Sequence, residues 1–237
     1  MKNSTKEIIN EINTYRDESK AAFLPRFFKT GKGEYGEGDQ FIGVVVPNLR
    51  IVAKKHFDAD FDTLRELLAS PYHEYRLTAL LALTYRYAKL KDHASRETCV
   101  NFYVSQVDSI NNWDLVDLSC YKILGHWLFD KDKQLLYDWA KENHLWKQRI
   151  AMISCMHFVK QGEFKDALAI ADLLQHHPHD LIHKAVGWIL REIGKEDEQL
   201  LVDYLTPRYK EMPRTMLRYA IERFEEEKRK AFLNSTI

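Results

Sequence analysis

A succession of amphipathic helical segments is the feature that most constrains the fold of this sequence. Apolar residues recur at helical spacing from the first residues to about residue 231, and short polar stretches separate the segments. Helices are predicted near 4–12, 19–29, 47–53 and 60–71, and then over 72–90, 95–108, 113–128, 131–142, 145–160, 163–175, 180–194, 197–211 and 214–231. The apolar β-branched run 42–46 leads directly into a proline and is interpreted as a buried connection. We therefore predict an all-α fold.

Small residues recur at a regular interval within these helices. Ala79, Ala151, Ala185 and Ala220 each lie in an apolar helix, at intervals of 72, 34 and 35 residues, and the first interval is about twice the others. A period near 35 built from two helices is typical of stacked antiparallel helical hairpins. The sequence therefore predicts a superhelical solenoid of about six hairpins, forming one domain over residues 1–237.

A basic residue lies beside each repeated alanine: Arg76, Arg149, Lys184 and Arg218. Equivalent positions of a solenoid line up along one surface, so these residues could form a basic stripe that suits a long polyanion. The alternative is that each pairs with a neighbouring acid. The 35 basic and 35 acidic residues give a formal net charge of zero, which argues against a strongly basic nucleic-acid binder but does not describe how the charge is distributed.

The sequence also indicates the cellular compartment of the protein. Three cysteines without a CxxC spacing indicate a reduced protein with neither a disulfide framework nor a cysteine zinc site. The N-terminal stretch Met1–Asn10 is charged and lacks the apolar stretch of a signal peptide, and no run is long enough for a membrane helix. We expect a cytoplasmic protein.

The stretch Asn112-Trp113-Asp114-Leu115-Val116-Asp117 stands out from the surrounding helices. Trp113 and Asp117 are four residues apart, so on a helix they project from one face. Asn112 is a good N-cap residue, which places the pair in the first turns of that helix. Asp114 faces another direction and is expected to stabilise the helix N-terminus. An aromatic wall beside a fixed negative charge can hold a cation, either from a ligand or from a neighbouring side chain.

Two later helices share this character. Trp146 and Arg149 are three residues apart, and Lys184 and Trp188 are four apart, with Arg191 one turn further. A tryptophan in a helix more often belongs to the core, but three such helices with an ion one turn away are harder to ascribe to packing. Gly187 lowers helix propensity and predicts that another helix packs closely there.

Two further patterns are assigned no role in binding a dinucleotide or a metal. The loop Gly31–Gly38 contains GxGxxG, but no strand precedes it and its glutamates would repel a pyrophosphate, so a flexible loop is predicted. The histidines of His176–His183 straddle a proline between helices, without a second cluster of ligands, and are interpreted as a solvated loop. We expect neither a metal nor a cofactor.

Four of these stretches together resemble the AlkD-type DNA alkylation-repair glycosylases, a family built from HEAT-like helical repeats. The stretches, in order, are Gly36-Glu-Gly-Asp-Gln-Phe-Ile-Gly-Val-Val-Val-Pro-Asn-Leu-Arg50, Asn112-Trp-Asp-Leu-Val-Asp117, Trp146-Lys-Gln-Arg-Ile-Ala151 and Lys184-Ala-Val-Gly-Trp-Ile-Leu-Arg-Glu192. The resemblance spans roughly residues 5 to 225. Val45-Val46 departs from the family pattern, since members often carry polar residues before the proline.

The resemblance implies a concave surface that binds duplex DNA and an enzyme that excises cationic alkylated purines such as 3-methyladenine and 7-methylguanine in base excision repair. By motif, the catalytic carboxylate corresponds to Asp117, the two cleft indoles to Trp113 and Trp188, and the DNA-contacting arginine to Arg149. With the basic stripe, this predicts DNA contacts from Arg149, Lys184, Arg76 and Arg218. The protein is expected to act as a monomer, associated with the nucleoid when it acts on DNA.

The chemistry suits this residue set. A purine alkylated at N3 or N7 already carries a positive charge and leaves as a neutral base, so it needs little general acid. Cleavage transfers positive charge to the deoxyribose, and one carboxylate can stabilise that charge and orient water. No lysine is placed as an obvious Schiff-base nucleophile, which predicts a monofunctional glycosylase. The alternatives are a non-catalytic scaffold that binds a protein and a DNA-structure binder without catalysis.

Overall fold

The computed structural model describes residues 4–236; the first three residues of the charged N-terminal stretch and Ile237 lie outside this range. Helices dominate these residues, and the strand-like pairing they contain is a single isolated bridge between Gln40 and Tyr72. The predicted buried connection over 42–46 is shorter than expected: residues 42–44 are buried, Val45 is exposed, and the next helix already begins at Val46. The all-α prediction is confirmed. Within residues 4–236, each helix is too short or too polar to cross a lipid bilayer.

The chain forms two compact units, which divide between Ile123 and Leu124. The division does not test the prediction of one domain over residues 1–237, which therefore stays a prediction. The helices of unit 1 are α1 (Thr5–Asn13), α2 (Glu18–Phe27), α3 (Val46–Lys55), α4 (Phe61–Leu68), α5 (His73–Lys89), α6 (His93–Ser105) and α7 (Trp113–Asp117), with a 3-10 turn at Val107–Ser109.

Unit 2 contains a series of helices that pack on their neighbours in the chain. Its helices are α8 (His126–Leu128), α9 (Gln134–Lys141), α10 (Leu145–Val159), α11 (Lys165–Leu174), α12 (Asp180–Glu196), α13 (Glu198–Leu205), α14 (Arg214–Ala220) and α15 (Glu226–Asn234), and a π-helical segment, Tyr121–Gly125, precedes α8. Helix α10 packs on α9, α11 and α12, while α12 packs on α13 and α14. Each long helix therefore lies between neighbours, as in a helical repeat.

The central helix of each unit is buried on nearly every side. Helix α5 packs on α3 and α4 and buries most of its residues, including polar residues of its first turn, and α10 buries almost all of its residues. The repeated residues Ala79, Ala151 and Ala185 lie within these long helices and are buried, and Ala220 is the buried last residue of α14. The small-residue repeat thus lies at buried positions of four helices.

The prediction of one helix over 113–128 is wrong. Helix α7 ends at Asp117, and a π-helical segment follows. The Ser119 hydroxyl donates to the carbonyl of Leu115 at 2.5 Å, a bond that bends helices. Further on, Gly125 packs so closely on Ser154 that a Cβ at Gly125 would lie 2.3 Å from the Ser154 carbonyl oxygen. The prediction over 214–231 is wrong in the same way, since that stretch forms α14 and α15.

Candidate active site

Helix α7 carries the carboxylate and the indole of the Trp/Asp motif. Asn112 is its N-cap, as predicted, and the Asn112 side-chain oxygen accepts the Trp113 backbone N–H at 2.9 Å. Leu115 and Val116 are fully buried and anchor one side of the helix. Trp113 and Asp117, one turn apart, are only partly buried. The short helix therefore presents both groups to solvent from a fixed base.

Trp113 belongs to an aromatic cluster. Its ring stacks on Phe28 at 5.5 Å between centroids and 17° between planes, and it meets Phe27 edge-on at 6.0 Å. Phe28 stacks in turn on Phe41, at 5.0 Å. Phe27 is 51% exposed. Two phenyl rings therefore pack directly on the indole and restrict its orientation.

A buried network of ionic groups lies beneath α7. Asp39 is 7% exposed and forms an ion pair with Arg76 at 2.6 Å. The same carboxylate accepts the side-chain N–H groups of Asn111 at 3.1 Å and Asn112 at 3.3 Å. Burial disfavours the charged form of Asp39, but the hydrogen bond with His73 and the charge of Arg76 outweigh it and hold the pKa of Asp39 below its ordinary value. Asp39 thus links the N-cap of α7 to helix α5.

His73 joins two carboxylates of this network. Its Nε2 lies 2.8 Å from Oδ2 of Asp114, and its Nδ1 lies 3.2 Å from Oδ2 of Asp39. Burial alone would lower the pKa of His73, but the charge of Asp114 and the hydrogen bonds with Asp114 and Asp39 prevail and raise it to about 9. His73 is therefore a buried imidazolium at neutral pH, with both ring N–H groups donating to carboxylates.

Asp114 has more than the expected role at the helix N-terminus. Its Oδ1 accepts the backbone N–H of Leu115 at 2.9 Å, which suits that role, but the residue is 4% exposed and its other oxygen binds His73. Sequence reasoning did not single out Asp39, His73 or Asp114 as partners. A signal existed at the start of α5, where polar residues open the long apolar helix, but their partners lie far away in the sequence.

The start of α5 also fixes the loop before α3. Glu74 is 2% exposed, and its Oε1 accepts the backbone N–H groups of Ile42 at 3.1 Å, Gly43 at 2.8 Å and Val44 at 3.3 Å. Gly43 has a φ of +84°, and a Cβ there would lie 1.9 Å from the Asp17 carbonyl oxygen. Only glycine therefore fits this position, where the loop passes α2.

Arg76, one of the four residues predicted to contact DNA, lies in the interior. It is 6% exposed, and besides its ion pair with Asp39 it donates from NH1 to the Ser70 carbonyl oxygen at 2.9 Å. The alternative interpretation, a basic residue paired with a neighbouring acid, describes Arg76. Its guanidinium holds the loop around Asp39 against α5.

Arg149 is also buried in unit 2, at 4% exposure. Its NH1 donates to the carbonyl oxygen of Leu181, in the first turn of α12. His179 is the N-cap of α12, and its Nδ1 accepts the Leu181 N–H at 3.1 Å. Arg149 thus ties α10 to the beginning of α12, the helix that carries Lys184 and Trp188.

Lys184, Trp188 and Arg218 are all at least partly exposed. Lys184 forms an i, i+4 ion pair with Asp180 at 2.7 Å, so the pairing interpretation applies to it as well, although a pair this exposed contributes little stability. Gly187 fits the predicted close approach: a Cβ there would lie 2.5 Å from the Met216 carbonyl oxygen of α14.

The histidine loop before α12 uses its ring nitrogens within the protein. His177 Nδ1 accepts the His179 backbone N–H at 3.0 Å, and its Nε2 lies 3.0 Å from Oε1 of Gln148. His183 Nε2 contacts the His177 carbonyl oxygen. Burial and the neighbouring histidines lower the pKa of His177. These histidines therefore shape the loop that precedes α12.

Fold and site together define an all-α helical-repeat protein whose short helix α7 presents an indole and a carboxylate. The chain belongs to the family described as DNA alkylation repair enzyme, whose sequence profile matches residues 8–224. Its structure is similar to a predicted DNA alkylation repair enzyme from Enterococcus faecalis, with a TM-score of 0.68, 14% identity and coverage of 89% of this chain and 97% of that chain.

It is also similar to the crystal structure of AlkD2 from Streptococcus mutans, with a TM-score of 0.55, 15% identity and coverage of 88% of this chain and 99% of the other. At these identities the likeness establishes the fold. No curated protein sequence matches the chain. The resemblance drawn from the four sequence stretches is thus confirmed at the level of family and fold.

Proposed function

We propose that this protein is a monofunctional DNA glycosylase that excises cationic N3- and N7-alkylated purines, among them 3-methyladenine and 7-methylguanine, from duplex DNA. Membership in the DNA alkylation repair enzyme family supports DNA as the substrate. The observation that carries the reaction type is the pairing of Trp113 and Asp117 on α7, both partly exposed and one turn apart.

Asp117 is the proposed catalytic residue. When a cationic purine leaves, positive charge develops on the deoxyribose, and a carboxylate beside the sugar stabilises it. The same carboxylate orients the water that attacks the sugar carbon, and it accepts a proton from that water. The base departs neutral, so the reaction needs no proton donor for the leaving group. A neutral, undamaged purine would leave as an anion unless it were protonated, and it is therefore a poor substrate.

The indoles are proposed to contact the nucleotide. Trp113 is partly exposed one turn from Asp117, and the resemblance assigns Trp188 a contact with the sugar and backbone. Each contact to a cation is worth about 0.5–2 kcal/mol. Lys184 and Arg218 are the proposed phosphate contacts, since both reach solvent. The buried Arg149 and Arg76 bind carbonyl and carboxylate oxygens within the protein, and the DNA contacts assigned to them remain predictions.

The decisive experiment measures release of 7-methylguanine from a methylated duplex by the wild type, by Asp117→Asn and by Asp62→Asn. Asp117→Asn keeps the shape and removes the charge, and Asp62, an exposed acid of α4, supplies a matched control. We expect release by the wild type and the control, and a loss of about 10²-fold or more in Asp117→Asn. Equal release by all three proteins would remove Asp117 from the mechanism.

Absence of release by the wild type, with 3-methyladenine tested as well, would overturn the glycosylase proposal. Duplex affinity then separates the alternatives. A DNA-structure binder retains an affinity that falls steeply with salt, because binding releases counterions from the phosphates. A scaffold for a protein partner shows no such affinity.

A further inference from the structure

Helix α7 is too short to hold its own geometry. It contains five residues, from Trp113 to Asp117, and isolated helices shorter than about 12 residues are marginal in water. A catalytic carboxylate at its last residue therefore depends on contacts outside the helix. Those contacts are apolar on one side, through Leu115 and Val116, and ionic on the other.

The ionic contacts reach α7 at two adjacent points. Asp114 binds His73 at 2.8 Å, and the N-cap Asn112 binds Asp39 at 3.3 Å. His73 and Asp39 bind each other at 3.2 Å, so the two attachments form one closed arrangement with α7. Phe28 extends it, because this ring contacts the His73 ring at 4.7 Å and stacks on Trp113.

We propose that His73 is a positioning residue for the candidate active site, holding α7 through Asp114 and Asp39 so that Trp113 and Asp117 keep a reactive placement. The proposal rests on the proposed glycosylase function for its kinetic consequence. His73 reaches no substrate, since its side chain is 3% exposed. It acts through the helix, and displacement of a catalytic group by about 1 Å can cost on the order of 10²-fold in rate.

The chain offers a matched control in the same unit. His56 is also a buried histidine with a carboxylate partner, and its Nε2 lies 2.7 Å from Oε2 of Glu11. That pair joins α3 to α1. His73→Gln and His56→Gln therefore make the same substitution at a buried histidine whose ring nitrogen lies within hydrogen-bond distance of a carboxylate, but only the first removes a partner of α7.

The test compares the two variants by single-turnover excision of 7-methylguanine at saturating enzyme. We expect His73→Gln to lose on the order of 10²-fold in the rate of the chemical step while duplex affinity stays within about 3-fold of wild type. His56→Gln is expected to keep the wild-type rate. Equal rate losses in both variants, or none in His73→Gln, would overturn the positioning role and leave a purely structural one.

A rescue variant separates the loss of a positioning contact from a general loss of folding. His73→Gln leaves the Asp114 carboxylate buried without its cation, whereas His73→Gln combined with Asp114→Asn places two amides opposite each other. We expect the double variant to recover at least part of the excision rate lost in the single variant. A double variant that folds but is no faster than His73→Gln contradicts the proposal.

A second readout does not depend on glycosylase activity. Amide hydrogen exchange in His73→Gln is expected to accelerate selectively over residues 113–118, relative to α1 and α3 and relative to His56→Gln. Unchanged exchange over residues 113–118 would overturn the positioning role even if the wild type released no base. Faster exchange in α7 with an inactive wild type would instead locate the failure in the proposed function.

Discussion

The Nε2 atom of His73, at the beginning of α5, lies 2.8 Å from Oδ2 of Asp114 in α7, and both residues are almost fully buried. This bond connects the central helix of unit 1 to the helix that presents Trp113 and Asp117. The candidate active site is therefore a partly exposed surface supported by an interior ion pair. The excision rate and the amide exchange of α7 should therefore respond to substitutions in that interior.

The His73 network makes stability depend on pH. The carboxylates of Asp39 and Asp114 face the imidazole, Arg76 lies nearby, and the pKa of His73 is raised from 6.5 to about 9. A raised pKa in the folded state means that the stabilisation is complete below 6.5 and is lost as the pH rises to about 9. Its full size is on the order of 3 kcal/mol. Urea denaturation should show the difference in unfolding free energy between wild type and His73→Gln shrinking from about pH 6 to about pH 10. A difference that grows over this range would contradict the charge assigned to His73.

Gly187 should tolerate no side chain. In Gly187→Ala the new Cβ would meet the Met216 carbonyl oxygen and the Tyr219 Cβ, both at 2.5 Å, so α12 and α14 must separate. We expect a loss of about 1–3 kcal/mol in the free energy of unfolding, measured by urea denaturation. Gly194→Ala on the same helix is the control, because its Cβ would meet the movable end of the Leu201 side chain, at 2.4 Å. A loss no larger than that of the control would show that the two helices yield easily.

Lys184 should contribute to duplex affinity through charge. Lys184→Ala is expected to weaken binding to unrelated duplex sequences by a similar factor, and to reduce the slope of log affinity against log salt by about 1. Lys230→Ala is the matched control, since Lys230 also forms an i, i+4 ion pair, with Glu226 at 2.6 Å. Salt titration of a labelled duplex measures both slopes. Identical slopes for wild type and Lys184→Ala would remove this lysine from the DNA surface.

Trp188 should act through its aromatic face. We expect Trp188→Leu to slow excision by roughly 2- to 30-fold, the equivalent of one cation–π contact, and Trp188→Phe to lose less. Trp127→Leu serves as the control, because Trp127 is another partly exposed indole, with the Lys131 ammonium 4.3 Å from its ring centroid. Single-turnover excision of 7-methylguanine measures the rate of each of these three variants. Equal rates for Trp188→Leu and Trp127→Leu would exclude a specific role for the first.

Local rules predicted those features that depend on neighbours in the sequence. Asn112 caps α7 as predicted, because a side chain that reaches a backbone N–H within three residues needs no tertiary partner. The apolar spacing also indicated the long helices and their buried faces. The break after Asp117 was missed, because apolar spacing does not register the bond by which the Ser119 hydroxyl donates to the Leu115 carbonyl oxygen.

The sequence by itself determined the helical class, the repeat marked by Ala151 and Ala185, and the motif that leads to the family. Tertiary structure alone decided which charges face solvent. Arg76 and Lys184 both belong to the predicted basic stripe, yet one is buried on Asp39 and the other reaches solvent. The His73–Asp114 pair joins residues 41 apart, and periodicity describes one helix at a time, so no local pattern encodes that contact.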